Sequence, residues 1–157
     1  MTHYPRRTFL RNTLATAVLV AVGGTGLLRP SRALAAEWPK DAFTAKKLED
    51  AVQALFGSSA TSPSASIKLK APAQAENSAQ VQIQVTAELP NVEAIAILVE
   101  KNPSPLVAHA SFSGAEGYFS ARMKMAQTSD VVAVVKSGGK LYTARQNIKV
   151  TVGGCGG

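Results

Sequence analysis

The sequence predicts a mainly β protein: an immunoglobulin-like antiparallel β-sandwich with one N-terminal helix and a flexible C-terminal arm. Three observations carry this. Apolar and polar residues alternate with a period of two from Ile67 onward, glycine and proline turn signals recur between these runs, and helical periodicity is convincing only over residues 41–56.

In that helical segment Phe43, Leu48, Ala51, Val52, Leu55 and Phe56 form one apolar stripe, while Lys46, Lys47, Glu49, Asp50 and Gln53 lie elsewhere. Asp41 after Pro39 is the expected N-cap, and Gly57 the expected stop. Residues 58–64, rich in serine, read as a linker. Val81, Ile83, Val85 and Ala87 then alternate with Gln82, Gln84 and Thr86, giving a strand with one buried and one wet face. Phe119, Ala121, Met123 and Met125 alternate with Tyr118, Ser120, Arg122 and Lys124, and Ile148, Val150 and Val152 with Lys149 and Thr151. Gly138-Gly139 predicts a two-residue hairpin turn, since glycine accepts positive φ at no steric cost. Asn102-Pro103-Ser104-Pro105 predicts a stiff loop, because proline cannot donate to a ladder. With Ile67 to Leu69 and Val107 to Phe112, about seven strands result.

Two runs break the alternation. Residues 94–99 and 131–135 are apolar at every position, so both faces of these strands need cover. Either the N-terminal helix or a partner subunit would supply it.

The chain has 157 residues and a formal charge of +7. Residues 1–35 hold five arginines, no lysine and no acid. The remaining 12 basic and 10 acidic residues leave only +2 for residues 36–157, so the overall basic charge does not point to nucleic acid or anionic membrane as a partner. Arg6-Arg7-Thr8-Phe9-Leu10, a weakly apolar stretch broken by Gly23, Gly24 and Gly26, and Ala33-Leu34-Ala35 read as a twin-arginine-type signal peptide over residues 1–35. The middle is shorter and less apolar than a membrane span. A periplasmic location is expected, with no membrane attachment once the signal is cut. The N-terminal helix and β-sandwich would then occupy residues 36–152 as one domain, and the arm residues 153–157.

Catalytic parts are few. No Ser/His/Asp set, Cys-x-x-Cys pair or carboxylate cluster is visible, and no metal site or cofactor is expected. His109 reads as a strand or loop-end side chain, Met123 and Met125 as core, and Lys124, Lys136, Lys140, Arg145 and Lys149 as solvated surface. Cys155 differs. It is the single cysteine, third from the end, with Gly153 and Gly154 before it and Gly156 and Gly157 after it. Four glycines give the backbone freedom and leave the sulfur unshielded. The terminal carboxylate two residues on disfavours the thiolate, so nothing local activates the nucleophile. An enzyme would hold its cysteine beside a histidine or a helix N-terminus. This pattern suits a handle that other proteins act upon: Cys155 as the covalent attachment residue of a cargo, and the chain as a non-catalytic carrier. The competing reading is a binding module in which Cys155 only forms an intermolecular disulfide.

The terminal Gly-Gly-Cys-Gly-Gly, the twin-arginine leader, residues 88–106 with Val99-Glu100-Lys101-Asn102-Pro103, Glu76-Asn77, Met123-Lys124-Met125 and residues 131–135 together resemble SoxY, the cysteine-bearing subunit of the SoxYZ carrier of bacterial sulfur oxidation. The resemblance spans essentially the whole chain. It implies that thiosulfate is oxidatively joined to Cys155 by a c-type cytochrome, and that a separate sulfate-releasing hydrolase and a sulfane dehydrogenase act on the adduct. It also implies a heterodimer with a SoxZ-like subunit, which would fit the doubly apolar strands. A SoxYZ-type carrier serving another pathway is the alternative within this chemistry.

Overall fold

The structure, a computed structural model, describes residues 38–151. The expected leader, the domain's last residue Val152 and the arm with Cys155 lie outside the described residues. Two helices, α1 (Lys40–Thr44) and α2 (Leu48–Phe56), precede nine strands: β1 (Thr61–Pro63), β2 (Ile67–Lys70), β3 (Gln74–Ala75), β4 (Val81–Ala87), β5 (Val92–Val99), β6 (Leu106–Ser111), β7 (Gly117–Met123), β8 (Ser129–Ser137) and β9 (Lys140–Val150).

These strands form the expected sandwich. A larger sheet runs β1-β9-β8-β5-β6, with β3 also paired to β9, and a three-stranded sheet runs β2-β4-β7. The long ladders are antiparallel, but β1 and β3 pair with β9 in parallel, so the larger sheet is mixed. β1 lies inside the segment expected to be a plain linker. Its register, Thr61 opposite Leu141 to Pro63 opposite Thr143, covers one half of the β9 edge. β3 covers the other half at Lys149 and Val150. An edge strand left open is a template for unwanted pairing, and these short strands close it.

Alternation sets the inner faces as expected. β4 buries Val81, Ile83, Val85 and Ala87, and β7 and the turn after it bury Met123 and Met125. Gly138 and Gly139 turn β8 into β9 at φ 55° and 74°. Gly117 is needed for a different reason: a Cβ there would sit 2.8 Å from Val92 Cγ2 and 2.9 Å from the Ala87 carbonyl oxygen.

The two doubly apolar strands, β5 and β8, sit side by side in the larger sheet, and their two faces serve two cores. Ile95, Ile97, Val99, Val131, Ala133 and Val135 point into the sandwich. Ala96, Leu98, Val132 and Val134 point the other way and pack under Ala42, Ala51 and Val52 of the helices, with Phe43, Leu48, Leu55 and Phe56 at the margin. The chain's own helices therefore cover this face, and the apolar strands do not need a partner subunit to explain them.

The helical segment differs from the single helix expected over residues 41–56. Ala45 adopts an extended conformation (φ −55°, ψ 146°) and Lys47 another (φ −115°, ψ 149°), which splits it in two. Asp41 is in the first turn of α1 rather than its N-cap; Pro39 precedes the helix and no side chain caps it. The break re-aims the first turn, so that Ala42 is as fully buried as Ala51. Gly57 ends α2 as expected, in the left-handed region at φ 77°, with its N–H donating to the Gln53 carbonyl. No helix among the described residues is long and apolar enough to cross a membrane.

Candidate functional site: the end of the sandwich that leads to Cys155

Cys155, Gly153, Gly154, Gly156 and Gly157 lie outside the described residues, so the site is built from its root. The root is the end of β9. Thr151 N–H and Thr151 Oγ1 both donate to the Ala75 carbonyl, at 3.2 Å each, and Val150 N–H donates to Thr128 Oγ1 at 2.9 Å. Lys149 N–H donates to the Ala73 carbonyl at 3.0 Å. The last described residue is thus held on one side by the β3 segment and its neighbour Val150 on the other by the turn before β8. Four residues on, Cys155 lies at most ~14 Å from Thr151 along the chain.

Two loops at this end are locked together. The Asn102 side chain accepts from Ala126 N–H and donates from Nδ2 to the Lys124 carbonyl, both at 2.9 Å. Ser129, buried at 1% exposure, accepts from Lys101 N–H and donates to the Asp130 carbonyl. The loop from β5 to β6, expected to be stiffened by prolines, is also stitched by side-chain amide bonds. Nothing in the local sequence pattern announces the Asn102 clamp, since its partners are more than 20 residues away.

Part of the charge at this end is paired. Arg145 reaches Glu100 and Asp130, both at 3.4 Å, and Asn147 donates to Asp130 at 2.6 Å. The Asn147 hydrogen bond, with the Arg145 guanidinium and the Lys101 charge, holds the Asp130 carboxyl below its usual range, against the opposing effect of desolvation. A groove of ≈ 550 Å³ opens beside the clamp, lined by Asn102, Pro103, Val107, Arg122, Lys124 and Ala126 among others. A second cleft, ≈ 620 Å³, with Glu88, Glu93, Glu116 and Tyr118 on its walls, is at the opposite end of the sandwich. Ten residue steps along β9 separate the ends, ~33 Å, so a segment leaving at Thr151 does not reach it.

The other residues singled out in the sequence take ordinary places. His109 is on β6, half-buried, with its ring edge-on to Phe56 at 6.0 Å, and burial holds its pKa below the usual value. Met123 and Met125 are core. Lys136 pairs with Glu93 at 3.2 Å, and Arg145 belongs to the network above. Among the described residues, no three His, Cys, Asp or Glu side chains group so as to hold a metal ion.

Comparison with known proteins identifies this architecture. A family model described as "Sulfur oxidation protein SoxY" matches residues 52–155 and so ends on Cys155. Among solved structures, the sulfur carrier protein SoxY from Chlorobium limicola f thiosulfatophilum is 42% identical, covering 68% of this chain and 97% of that one, with a TM-score of 0.62. The superoxide reductase (neelaredoxin) from Ignicoccus hospitalis is similar at 20% identity over 55% of this chain and 80% of that one, with a TM-score of 0.49, and carries nothing over. No curated protein matches. By the family match across about two thirds of its length and the 42% identity, the chain belongs to the SoxY family of sulfur oxidation proteins.

Proposed function

We propose that the chain is a periplasmic covalent carrier of sulfur-oxidation intermediates, loaded on Cys155 and itself without catalytic activity. The observation that carries this reading is the position of the family match: it runs through the β-sandwich and terminates on the single cysteine of the chain, two residues from the end. The hydrogen-bonded root at Thr151 supports it from the other side. A sandwich that fixes its last strand by both neighbours gives a following glycine-rich segment a defined origin.

The cycle begins with thiosulfate. Joining its outer sulfur to the Cys155 thiol forms one S–S bond, releases one proton and passes two electrons to a c-type cytochrome. A hydrolase then adds water across the terminal sulfone and releases sulfate, leaving a persulfide on Cys155. A sulfane dehydrogenase oxidises that outer sulfur to a sulfonate, taking its three oxygens from water and passing six electrons to its own electron acceptor, and a second hydrolysis releases sulfate and returns the thiol. The chain's part is to hold the sulfur and present it. Gly153, Gly154, Gly156 and Gly157 leave the adduct free of side-chain obstruction so that it enters the narrow sites of several enzymes. Docking that orders these glycines costs ~1–2 kcal/mol of backbone entropy per residue, which keeps each visit short. A SoxZ-like subunit completes the carrier as a heterodimer, and twin-arginine export over residues 1–35 brings the folded pair to the periplasm.

Mass spectrometry of the chain after incubation with thiosulfate and the oxidising cytochrome tests the assignment. The expected product is a reductant-sensitive adduct on the Cys155 peptide. A doubled mass in place of an adduct would favour the disulfide-linked module.

A further inference from the structure

The outer face of the three-stranded sheet presents a grid of exposed and half-buried polar side chains among the described residues. Cross-strand register arranges it in rows: Lys68, Thr86 and Tyr118; then Lys70, Gln84 and Ser120; then Gln82 and Arg122. Each of these residues alternates with a buried or half-buried apolar one, so all eight face outward. Three are cationic and none is a carboxylate. The nine acids between residues 38 and 151 lie on the helices, in the loops and on the larger sheet. The outward positions of this sheet are therefore cationic, while Glu88 and Glu116 border its Tyr118 end.

Two of the three cations on this face lack a carboxylate partner among the described residues. Arg145 and Lys136 have carboxylate partners, whereas Lys70 and Arg122 have none among the described residues; Lys68 pairs with Glu88 at the rim. Arg122 is held in place by a hydrogen bond from Nε to Gln82 Oε1 at 3.0 Å, and Gln82 in turn donates to Ser120 Oγ at 2.7 Å. Tyr118 is 52% exposed at the far end of the same strand face. Tyrosine and arginine are the residue types that most often carry interface energy, and acidic residues are depleted there. The Arg122 row is at the root end: Val81 pairs with Met123, and Met125 N–H donates to the Ser78 carbonyl.

We propose that this β2-β4-β7 face is the docking surface for an acidic protein surface on an enzyme that acts on the carrier. The occupant follows from charge. A second copy would set like charges against one another, which costs energy. Three cations are too few for the six to ten phosphate contacts of a nucleic-acid site. A protein presenting carboxylates opposite Lys70 and Arg122, and amide or hydroxyl groups opposite Gln82, Gln84 and Ser120, satisfies the whole grid. The inference rests on the carrier reading for what the partner does, and not for where it docks.

Two experiments separate those claims. The first is an NMR titration of the purified chain with deca-glutamate. Shifts should concentrate on Lys70, Gln84, Ser120, Tyr118 and Arg122. Shifts concentrated instead at Lys46 and Lys47 or at Lys140 would overturn the proposal, as would tighter binding of a single-stranded oligonucleotide at this face. The second is loading of Cys155 by the oxidising cytochrome at low ionic strength. The double variant Lys70→Glu/Arg122→Glu should load about tenfold more slowly with a flattened salt dependence. The double variant Lys47→Glu/Lys140→Glu, with the same change of charge off this face, should change less than about twofold. Equal losses in both would mean net charge alone matters and would sink the docking surface. Alkylation of Cys155 by iodoacetamide should be the same in all three proteins, and the neutral pair Lys70→Gln/Arg122→Gln guards against misfolding. If the unaltered chain is never loaded, the carrier reading fails, while the deca-glutamate map still decides the surface.

Discussion

Leu98 and Ile97 are neighbours on β5, and both are fully buried, at 0% exposure. They face opposite ways: Ile97 into the sandwich and Leu98 under the helices. Truncating either to alanine removes the transfer energy of the lost methyl groups and leaves a cavity that the surroundings fill only in part. For fully buried Leu or Ile this amounts to ~2–5 kcal/mol. A domain of this size has about 5–15 kcal/mol of stability in all, so each change is large. The diagnostic quantity is their ratio. If the helices cover this face as the structure has it, Leu98→Ala and Ile97→Ala should cost similar amounts. If the face stood open in the isolated chain, Leu98→Ala would fall within the ~0.5 kcal/mol typical of surface positions. Equilibrium urea unfolding of the isolated chain reads this directly. With slopes of ~1–3 kcal/mol/M, each variant's midpoint should drop by roughly 0.7–5 M. A near-unchanged midpoint for Leu98→Ala beside a large drop for Ile97→Ala would refute the two-core account.

Other positions give further expectations. Gly117→Ala should destabilise by about 1–3 kcal/mol, because its Cβ would press on the Ala87 carbonyl, which is backbone and cannot swing aside; the urea midpoint checks it. Asn102→Ala removes two 2.9 Å bonds and frees the loops it joins, at a cost of about 1–3 kcal/mol, and hydrogen exchange at Ala126 should rise. Burial lowers the His109 pKa below its usual 6.5, so the unfolded chain binds the proton more readily. Stability should therefore be fully present above about 6.5 and decline as the pH falls below it, and His109→Gln should flatten that part of a pH series of unfolding midpoints. Asp130 acts in the same direction but in a more acid window: its lowered pKa contributes stability above about 3.8 that is lost only in stronger acid, so it leaves the His109 window undisturbed.

Most of the sandwich is legible in local pattern. The alternation in residues 81–87 and 117–123 depends only on which side of a pleat is dry, and the Gly138-Gly139 turn on the sign of φ. The full apolarity of β5 and β8 shows in the sequence that both faces are covered. It does not show by what, because a helix and a partner subunit offer the same hydrocarbon. The parallel pairings of β1 and β3 are illegible for a different reason. Each is two or three residues long, and its strand character comes from the β9 edge, not from its own composition. The split of the helix is likewise tertiary: Ala45 and Lys47 carry no breaker signal, and their extended backbone serves the docking of Ala42. At the site, the cysteine and its glycines stand out in sequence by symmetry alone. The fixed root beneath them does not, since Thr128, Ala75 and Thr151 meet only in the fold.

The central claim is that Cys155 holds the cargo while other proteins perform the chemistry. Its most direct test is intact-mass analysis of the chain and of Cys155→Ser, each incubated with thiosulfate and the oxidising cytochrome. The account predicts that the unaltered chain gains the mass of one thiosulfate group, lost again on reduction. It predicts that Cys155→Ser gains nothing, yet unfolds at the same urea midpoint. An adduct on Cys155→Ser, or thiosulfate turnover sustained by that variant, would contradict it.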